Sequence, residues 1–295
     1  MGQLINNKKV ILSNGESIFY RDSGAGEVLV LLHGNMTSSF HLINFIQSLP
    51  DNIRVIAPDM RGFGQSSYLR SINSLTELSN DLNELLKQLN INHYAIAGWS
   101  MGGGIAMQHA IDYKDNVTKL MLISSVATTG YPLKGNAGQG EYLTSKQAIA
   151  EDPMLAPVIN AFSEQNTAFI QAVWDMAVYN HKKPNETEYP ALLEDVLTQV
   201  NINDIYYALS YFNITDTHNG IIKGSNLINN IEAPVLILHG EDDLVIPLIN
   251  ARKTQDLLLT LNKSVEIYTY PDSGHSLFID QPEQLAQQVL TFLHS

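Results

Sequence analysis

The chain contains no cysteine. Disulfide bonds, thiolate metal sites and a cysteine nucleophile are therefore excluded together. Long apolar runs are missing as well, since no stretch approaches the ~20 residues that a membrane-spanning helix needs. The amino terminus has lysines but no apolar segment after them, so it does not look like a secretory signal. We therefore expect a soluble cytoplasmic protein with no membrane insertion.

Basic residues are scarce: 17 Lys and Arg stand against 30 Asp and Glu, a formal net charge of -13. A surface this acidic repels phosphates, so nucleic acid is not an expected partner. No pair of histidines has convincing metal-ligand spacing with nearby acids, so no metal is expected. Nothing in the sequence implies a cofactor. Hydrophobic residues make up 44% of the 295, enough for one large α/β domain with or without an inserted subdomain.

Short apolar runs alternate with amphipathic stretches in the first 125 residues. The runs are 28–32, 54–58, 94–97 and 120–123. Each is rich in aliphatic residues, as in a strand that is buried on both faces, and leucines recur at helical spacing between the second run and the third. This rhythm predicts a parallel sheet with helical crossovers. The start of the chain differs, because Asn14-Gly15 between two short β-like runs predicts a hairpin.

The strand rhythm stops after Ser125 and resumes near Pro234. We predict an α/β core formed by residues 1–127 and 229–295, with residues 128–228 as an inserted helical cap. The insertion is rich in aromatic residues, some of which should wall an apolar pocket. They are Tyr131, Tyr142, Phe162, Phe169, Trp174, Tyr179, Tyr206, Tyr207, Tyr211 and Phe212.

A G-x-S-x-G pattern occupies 98–102, directly after a strand-like run and before a helix-like one. Glycine on either side of Ser100 lets neighbouring backbone pass close to a sharp strand-to-helix turn. The serine oxygen then projects beside a helix amino terminus, whose field favours developing negative charge. The pattern predicts Ser100 as a nucleophile, although alone it also fits a tight glycine turn with a solvent-facing serine.

Four further segments accompany this pattern. In chain order they are LLHGNM at 31–36, PDMRGFGQS at 58–66, HGEDDLVIP at 239–247 and SGHS at 273–276. With these strings the chain resembles the α/β-hydrolase fold family over most of 10–125 and 230–295. The resemblance implies an α/β fold with a mostly parallel central sheet flanked by helices and an inserted helical cap.

The resemblance also implies a catalytic triad in the order serine, acid, histidine. His275 is then the general base that serves Ser100, and Asp243 is the residue that orients it. Asp242 competes for the acid position, and only the motif spacing from Gly240 favours Asp243. Asp242 would otherwise be a solvated loop carboxylate.

The same family resemblance implies an oxyanion hole made by the backbone amides of Asn35 and Met101. It gives His33 a role in stabilising the turn and Asp59 a role in satisfying loop amides. Trp99, next to the nucleophile, is a candidate substrate-binding residue, with packing behind the serine as the equal alternative.

A serine nucleophile argues against haloalkane dehalogenases and epoxide hydrolases of this fold, which use aspartate at this position. The expected activity is cleavage of a carboxylic ester of a small or medium acyl group through an acyl-enzyme on Ser100. Thioesterase, lactonase and carbon–carbon hydrolase activities remain open, since all share the triad.

The strings GWSMGG, HGNMTSS and DMRGFG are also similar to those of intracellular poly(3-hydroxybutyrate) depolymerases. A non-catalytic receptor on the same fold is the alternative from another class. The partner expected is a small-molecule acyl substrate, and the sequence does not indicate the oligomeric state.

Overall fold

The computed structural model describes residues 3–295. Eight strands form one sheet in the order β1-β2-β4-β3-β5-β6-β7-β8. The strands are β1 (Ile5–Ile11), β2 (Ser17–Ser23), β3 (Glu27–Leu32), β4 (Ile53–Pro58), β5 (Tyr94–Trp99), β6 (Val117–Ile123), β7 (Val235–Gly240) and β8 (Val265–Tyr270). From β4 to β8 across the sheet all neighbouring strands are parallel. The predicted parallel sheet is therefore confirmed.

The first two strands form the predicted hairpin. β1 pairs antiparallel with β2, and β2 pairs antiparallel with β4, so the antiparallel part lies at one edge of the sheet. Gly15 in the turn has φ +87°, a conformation that L side chains rarely adopt. The Asn14-Gly15 signal placed this turn correctly.

Helices cover both faces of the sheet. They are α1 (Ile43–Ser48), α2 (Leu75–Gln88), α3 (Met101–Asp112), α4 (Lys146–Glu151), α5 (Ala156–Ser163), α6 (Thr167–Ala177), α7 (Tyr189–Val196), α8 (Ile202–Tyr211), α9 (Leu248–Thr260), α10 (Leu277–Asp280) and α11 (Pro282–Leu293). Two short 3₁₀ helices occupy Ser39–Leu42 and Leu227–Asn230. The predicted α/β fold with a mostly parallel sheet between helices is confirmed.

Successive residues of the central strands point into two different apolar cores. In β3, Val30 and Leu32 pack with α2, α3 and α9 on one face, whereas Leu29 and Leu31 pack with α1 and α11 on the other. All four side chains are fully buried. Burial on both faces is the reason that these strands are continuous aliphatic runs instead of alternating ones.

The chain between β6 and β7 carries the five helices α4 to α8. Part of this segment packs on the same apolar core as β5, through Ile170, Trp174 and Leu193. The proposed cap limits, 128–228, stay a prediction. Within residues 3–295, no helix combines the length and apolar character that crossing a membrane requires.

A buried histidine on α3 makes the fold sensitive to acid. His109 is fully buried, its Nδ1–H donates to Ser79 O at 3.2 Å, and its Nε2 accepts from the Tyr94 hydroxyl at 2.6 Å. Burial lowers the pKa of His109 from the usual 6.5 to about 4, although the bond to Ser79 opposes this. A proton therefore binds the unfolded chain more tightly than the folded one.

We expect stability from the neutral His109 to be fully present above pH 6.5 and to be lost as the pH falls toward 4. Between pH 7 and 5 this loss is on the order of 2 kcal/mol. His109→Gln should flatten the pH dependence of the melting temperature in that range, whatever its effect at pH 7. The control is His93→Gln, which changes an exposed histidine. Equal pH slopes for the two variants would contradict the assignment.

Candidate active site

Ser100 lies in the turn that joins β5 to α3, with φ 54° and ψ -117°. A non-glycine residue in this region is strained, and such strain is common at functional sites. The flanking glycines are required by contact: a Cβ at Gly98 would lie 2.1 Å from Gly102 O, and a Cβ at Gly102 would lie 2.5 Å from His33 O. The turn holds the Ser100 side chain at the end of the strand.

Asp243 and His275 meet beside this turn. His275 Nδ1 lies 2.8 Å from Asp243 Oδ2, and Asp243 Oδ1 accepts the amides of Val245 and Ile246 at 2.8 Å each. Burial raises the pKa of Asp243, but His275, His239 and the Ile246 N–H together outweigh it and hold the pKa below its usual value. An ionised carboxylate only accepts, so the proton resides on His275 Nδ1 and Nε2 is free to accept another.

Asp242 has a different environment from its neighbour. Its side chain is 56% exposed and its Oδ2 lies 3.1 Å from Nε2 of His181. The side chain of Asp243 is fully buried against His275. The structure therefore brings Asp243, and not Asp242, to the histidine that the sequence proposed as the base.

Ser100 and His275 line the same cavity, of about 120 Å³. In the part of the chain that the structure describes, no hydrogen bond joins their side chains. Such bonds are often long or poorly aligned in unliganded sites and tighten when substrate binds. Ser100 and His275 thus meet at one cavity and Asp243 lies behind His275, with the three residues placed by loops after three different strands.

The loop after β3 packs on the Ser100 turn. A Cβ at Gly34 would lie 3.3 Å from Ser100 Cβ. Over residues 3–295 the amides of Asn35 and Met101 donate to no protein acceptor, and Met101 begins α3, where the first amides have no partner within the helix. Both amides are therefore available to a developing oxyanion.

His33 holds this loop in place. Its side chain is fully buried, with Nδ1 donating to Gly34 O at 2.8 Å and Nε2 accepting the Met60 amide at 3.0 Å. Burial lowers its pKa, so the ring stays neutral. Asp59 accepts the amides of Ser39 at 2.9 Å and Gln65 at 2.8 Å. Both side chains support the turns, as the resemblance implied.

Trp99 contacts the catalytic candidates from behind. Its Nε1–H donates to the His275 carbonyl at 2.9 Å, and its ring lies 5.7 Å from that of His275 and 5.4 Å from that of Phe278. The side chain is 2% exposed but still lines the cavity. The structure thus shows a packing contact for Trp99, while its candidate role in substrate binding stays a prediction.

The rest of the cavity wall is mostly apolar. The remaining lining residues are Gly34, Asn35, Met36, Val126, Tyr131, Trp174, Val178, Tyr206, Leu209, Val245 and Ile246. Three of the ten aromatic residues predicted to form such a wall are among them. Burial raises the pKa of Tyr131 and of Tyr206, so both hydroxyls stay protonated.

Sequence reasoning missed Gln199, which lies between α7 and α8. Its side chain donates to Asn35 Oδ1 at 2.8 Å and accepts the Met36 amide at 2.9 Å. No motif surrounds it and 164 residues separate it from Asn35, so the sequence offered no signal.

Residues 3–295 hold no group of three or more histidine or acidic side chains arranged to bind a metal ion.

Comparison with known proteins agrees with this architecture. The model of the alpha/beta hydrolase fold family matches residues 27–282. A bifunctional esterase/perhydrolase from Acinetobacter calcoaceticus is 25% identical over 296 residues, covering 97% of this chain and 99% of that protein. An esterase structure from Exiguobacterium antarcticum superposes with a TM-score of 0.76 at 20% identity, covering 100% of both chains.

A longer relative is the dihydrolipoyllysine-residue acetyltransferase component of an acetoin cleaving system from Pseudomonas putida. It is 28% identical over 273 residues, which are 91% of this chain. The chain spans only 64% of that protein's length. Because the family model covers most of the sequence, this chain belongs to the alpha/beta hydrolase fold family.

Proposed function

We propose that this protein is a serine hydrolase that cleaves carboxylic esters of small or medium acyl groups. The observation that carries the proposal is the buried Asp243–His275 pair, which opens on the same cavity as the strained Ser100 turn. Membership of the alpha/beta hydrolase fold family supports a hydrolase. The similarity to an esterase/perhydrolase supports ester substrates in particular.

In the proposed mechanism Ser100 attacks the ester carbonyl while His275 Nε2 takes its proton. Asp243 keeps the other proton of the ring on Nδ1 and stabilises the imidazolium. The Asn35 and Met101 amides receive the oxyanion, each worth on the order of 3 kcal/mol in the transition state. His275 then protonates the leaving alcohol, and water hydrolyses the acyl-enzyme by the same route.

The proposed acyl pocket is the cavity above Ser100. Side chains from the proposed cap line it, among them Tyr131, Trp174 and Tyr206, and the apolar wall suits an alkyl chain. Its volume of about 120 Å³ favours small and medium acyl groups. Cleavage of thioesters, lactones or carbon–carbon bonds would use the same residues. The depolymerase and receptor alternatives also stay predictions, and substrate assays decide between them.

A fluorophosphonate probe should label Ser100 covalently, because its phosphorus centre resembles the tetrahedral intermediate. Peptide mapping by mass spectrometry should place the adduct on Ser100, and Ser100→Ala should abolish labelling. Ser125, whose side chain packs against Gly103 of α3, supplies the control, since Ser125→Ala should still be labelled. Labelling that survives Ser100→Ala would refute the proposed nucleophile, and an unlabelled wild-type protein would favour the receptor alternative.

The two neighbouring aspartates should differ sharply in turnover. Asp243→Asn should lower kcat by on the order of 10⁴, because the amide no longer fixes the His275 tautomer. Asp242→Asn alters an exposed side chain and should change kcat by less than about tenfold. Steady-state kinetics on one aryl ester measure both, and the reverse pattern would assign the acid to Asp242.

Specificity should rise with acyl chain length and then fall. Each methylene that fits the cavity contributes roughly 0.8 kcal/mol, and a chain longer than the cavity adds strain instead. A series of 4-nitrophenyl esters from acetate to dodecanoate should give the highest kcat/KM among the short-to-medium members. Tyr206→Ala, which enlarges the cavity, should move that maximum to longer chains. Oligomeric 3-hydroxybutyrate esters cleaved faster than every simple ester would favour the depolymerase alternative.

A further inference from the structure

The loop after β3, residues 33–36, holds the Asn35 amide of the proposed oxyanion hole and is called the oxyanion loop below. A chain of side-chain amides connects it to the segment between α7 and α8. The Met36 amide donates to Gln199 Oε1 at 2.9 Å. Gln199 Nε2 then donates to Asn35 Oδ1 and to Asn201 Oδ1, each at 2.8 Å. Asn201 Nδ2 donates to the carbonyl of Arg61 at 2.7 Å. Gln199 and Asn201 are 2% and 3% exposed, so water does not compete for these bonds.

The orientation of all three amides follows from the two ends of this chain. A backbone N–H can only donate and a backbone carbonyl can only accept, so the Met36 N–H fixes Gln199 and the Arg61 carbonyl fixes Asn201. The two hydrogens of Gln199 Nε2 then face two oxygens, one of which is Asn35 Oδ1. The Asn35 side chain must consequently turn its Nδ2 away from Gln199.

Asn35 lines the cavity that also contains Ser100 and His275. Among the described residues, no side chain or carbonyl accepts a hydrogen bond from Asn35 Nδ2. The atom is accessible to solvent. This side-chain donor is separate from the backbone amide of the same residue, which serves the proposed oxyanion hole. Asn35 is half-buried, so water can accept from Nδ2 in the free protein. A ligand that fills this mostly apolar cavity displaces that water and leaves the donor unpaired unless it supplies an acceptor.

We propose that Asn35 is a specificity-determining residue whose Nδ2 donates to an acceptor oxygen of the substrate close to the scissile carbonyl. The substrate class is an acyl group that carries a hydroxyl, ether or keto oxygen, and Gln199 is the positioning residue that orients the donor. This inference rests on the proposed ester hydrolysis.

The test uses pairs of esters that differ only by oxygen in place of a methylene. They are 4-nitrophenyl methoxyacetate with 4-nitrophenyl butyrate, and 4-nitrophenyl 3-methoxypropionate with 4-nitrophenyl pentanoate. The measured quantity is kcat/KM for the oxygen-containing ester divided by kcat/KM for its methylene counterpart. This ratio is compared between wild type and Asn35→Leu. Intrinsic differences in ester reactivity cancel in that comparison. Leucine keeps the backbone amide and the approximate shape but removes the donor.

Asn35→Leu should lower the ratio in at least one pair by about five- to tenfold, the effect of one lost hydrogen bond. Gln199→Leu should lower the same ratio, because the Asn35 amide is then free to turn. Gln199→Glu should do so as well, because it still accepts from the Met36 amide but places an oxygen opposite Asn35 Oδ1. Ratios that stay within twofold of wild type in both pairs would overturn the proposal.

The control is Gln165→Leu, which removes two side-chain hydrogen bonds from the same part of the chain, to the carbonyls of Phe162 and Leu197. It should leave the ratio unchanged, and an equal drop would reduce Gln199 to a structural role. Fluorophosphonate labelling of the wild-type Ser100 tests the proposed function separately. Labelling with unchanged ratios defeats only the Asn35 inference, whereas absent labelling defeats the proposed function.

Discussion

The positive φ of Ser100 is the constraint on which the whole site depends. Holding a serine at φ 54° costs on the order of 1–3 kcal/mol, and the surrounding packing must keep it there. β5 and α3 supply that packing, because every residue of Tyr94–Trp99 is buried and α3 is buried from Met101 to Ile111. The proposed nucleophile, at the end of a central strand, is therefore held by the apolar cores on both faces of the sheet.

The parallel arrangement of the sheet explains why the other groups arrive at the same place. Strands β3, β5 and β7 run in one direction, so the loops that follow them lie at one edge. Asn35 follows β3, Ser100 follows β5 and Asp243 follows β7. β8 is parallel to β7, so the loop that carries His275 reaches the same edge. The parallel topology therefore brings residues that are far apart in the chain together at one edge of the sheet.

The same topology decides what could be predicted from the sequence. The hairpin, the aliphatic strands and the G-x-S-x-G turn are local patterns, and local patterns determine local structure. The contact of Trp99 with the His275 carbonyl joins residues 176 positions apart, and that of Gln199 with Asn35 joins residues 164 apart. Such contacts depend on how whole elements pack, so no spacing rule revealed them. The choice between Asp242 and Asp243 was only partly predictable. The spacing of the family motif favoured Asp243, and the structure distinguishes the two because Asp243 is buried and Asp242 is exposed.

The polar and apolar walls of the cavity come from different parts of the chain. The sheet edge supplies Ser100, His275 and the free backbone amides, whereas the segment between β6 and β7 supplies Tyr131, Trp174 and other apolar side chains. In the proposed reaction, the groups that supply charge and hydrogen-bond donors lie at strand ends, whereas the acyl group would contact the segment between β6 and β7. Gln199 is the exception, since it belongs to that segment yet binds the oxyanion loop through Met36 and Asn35. A movement of the segment would therefore alter the geometry of the oxyanion loop as well as the shape of the cavity, and would link the proposed acyl pocket to the proposed oxyanion hole.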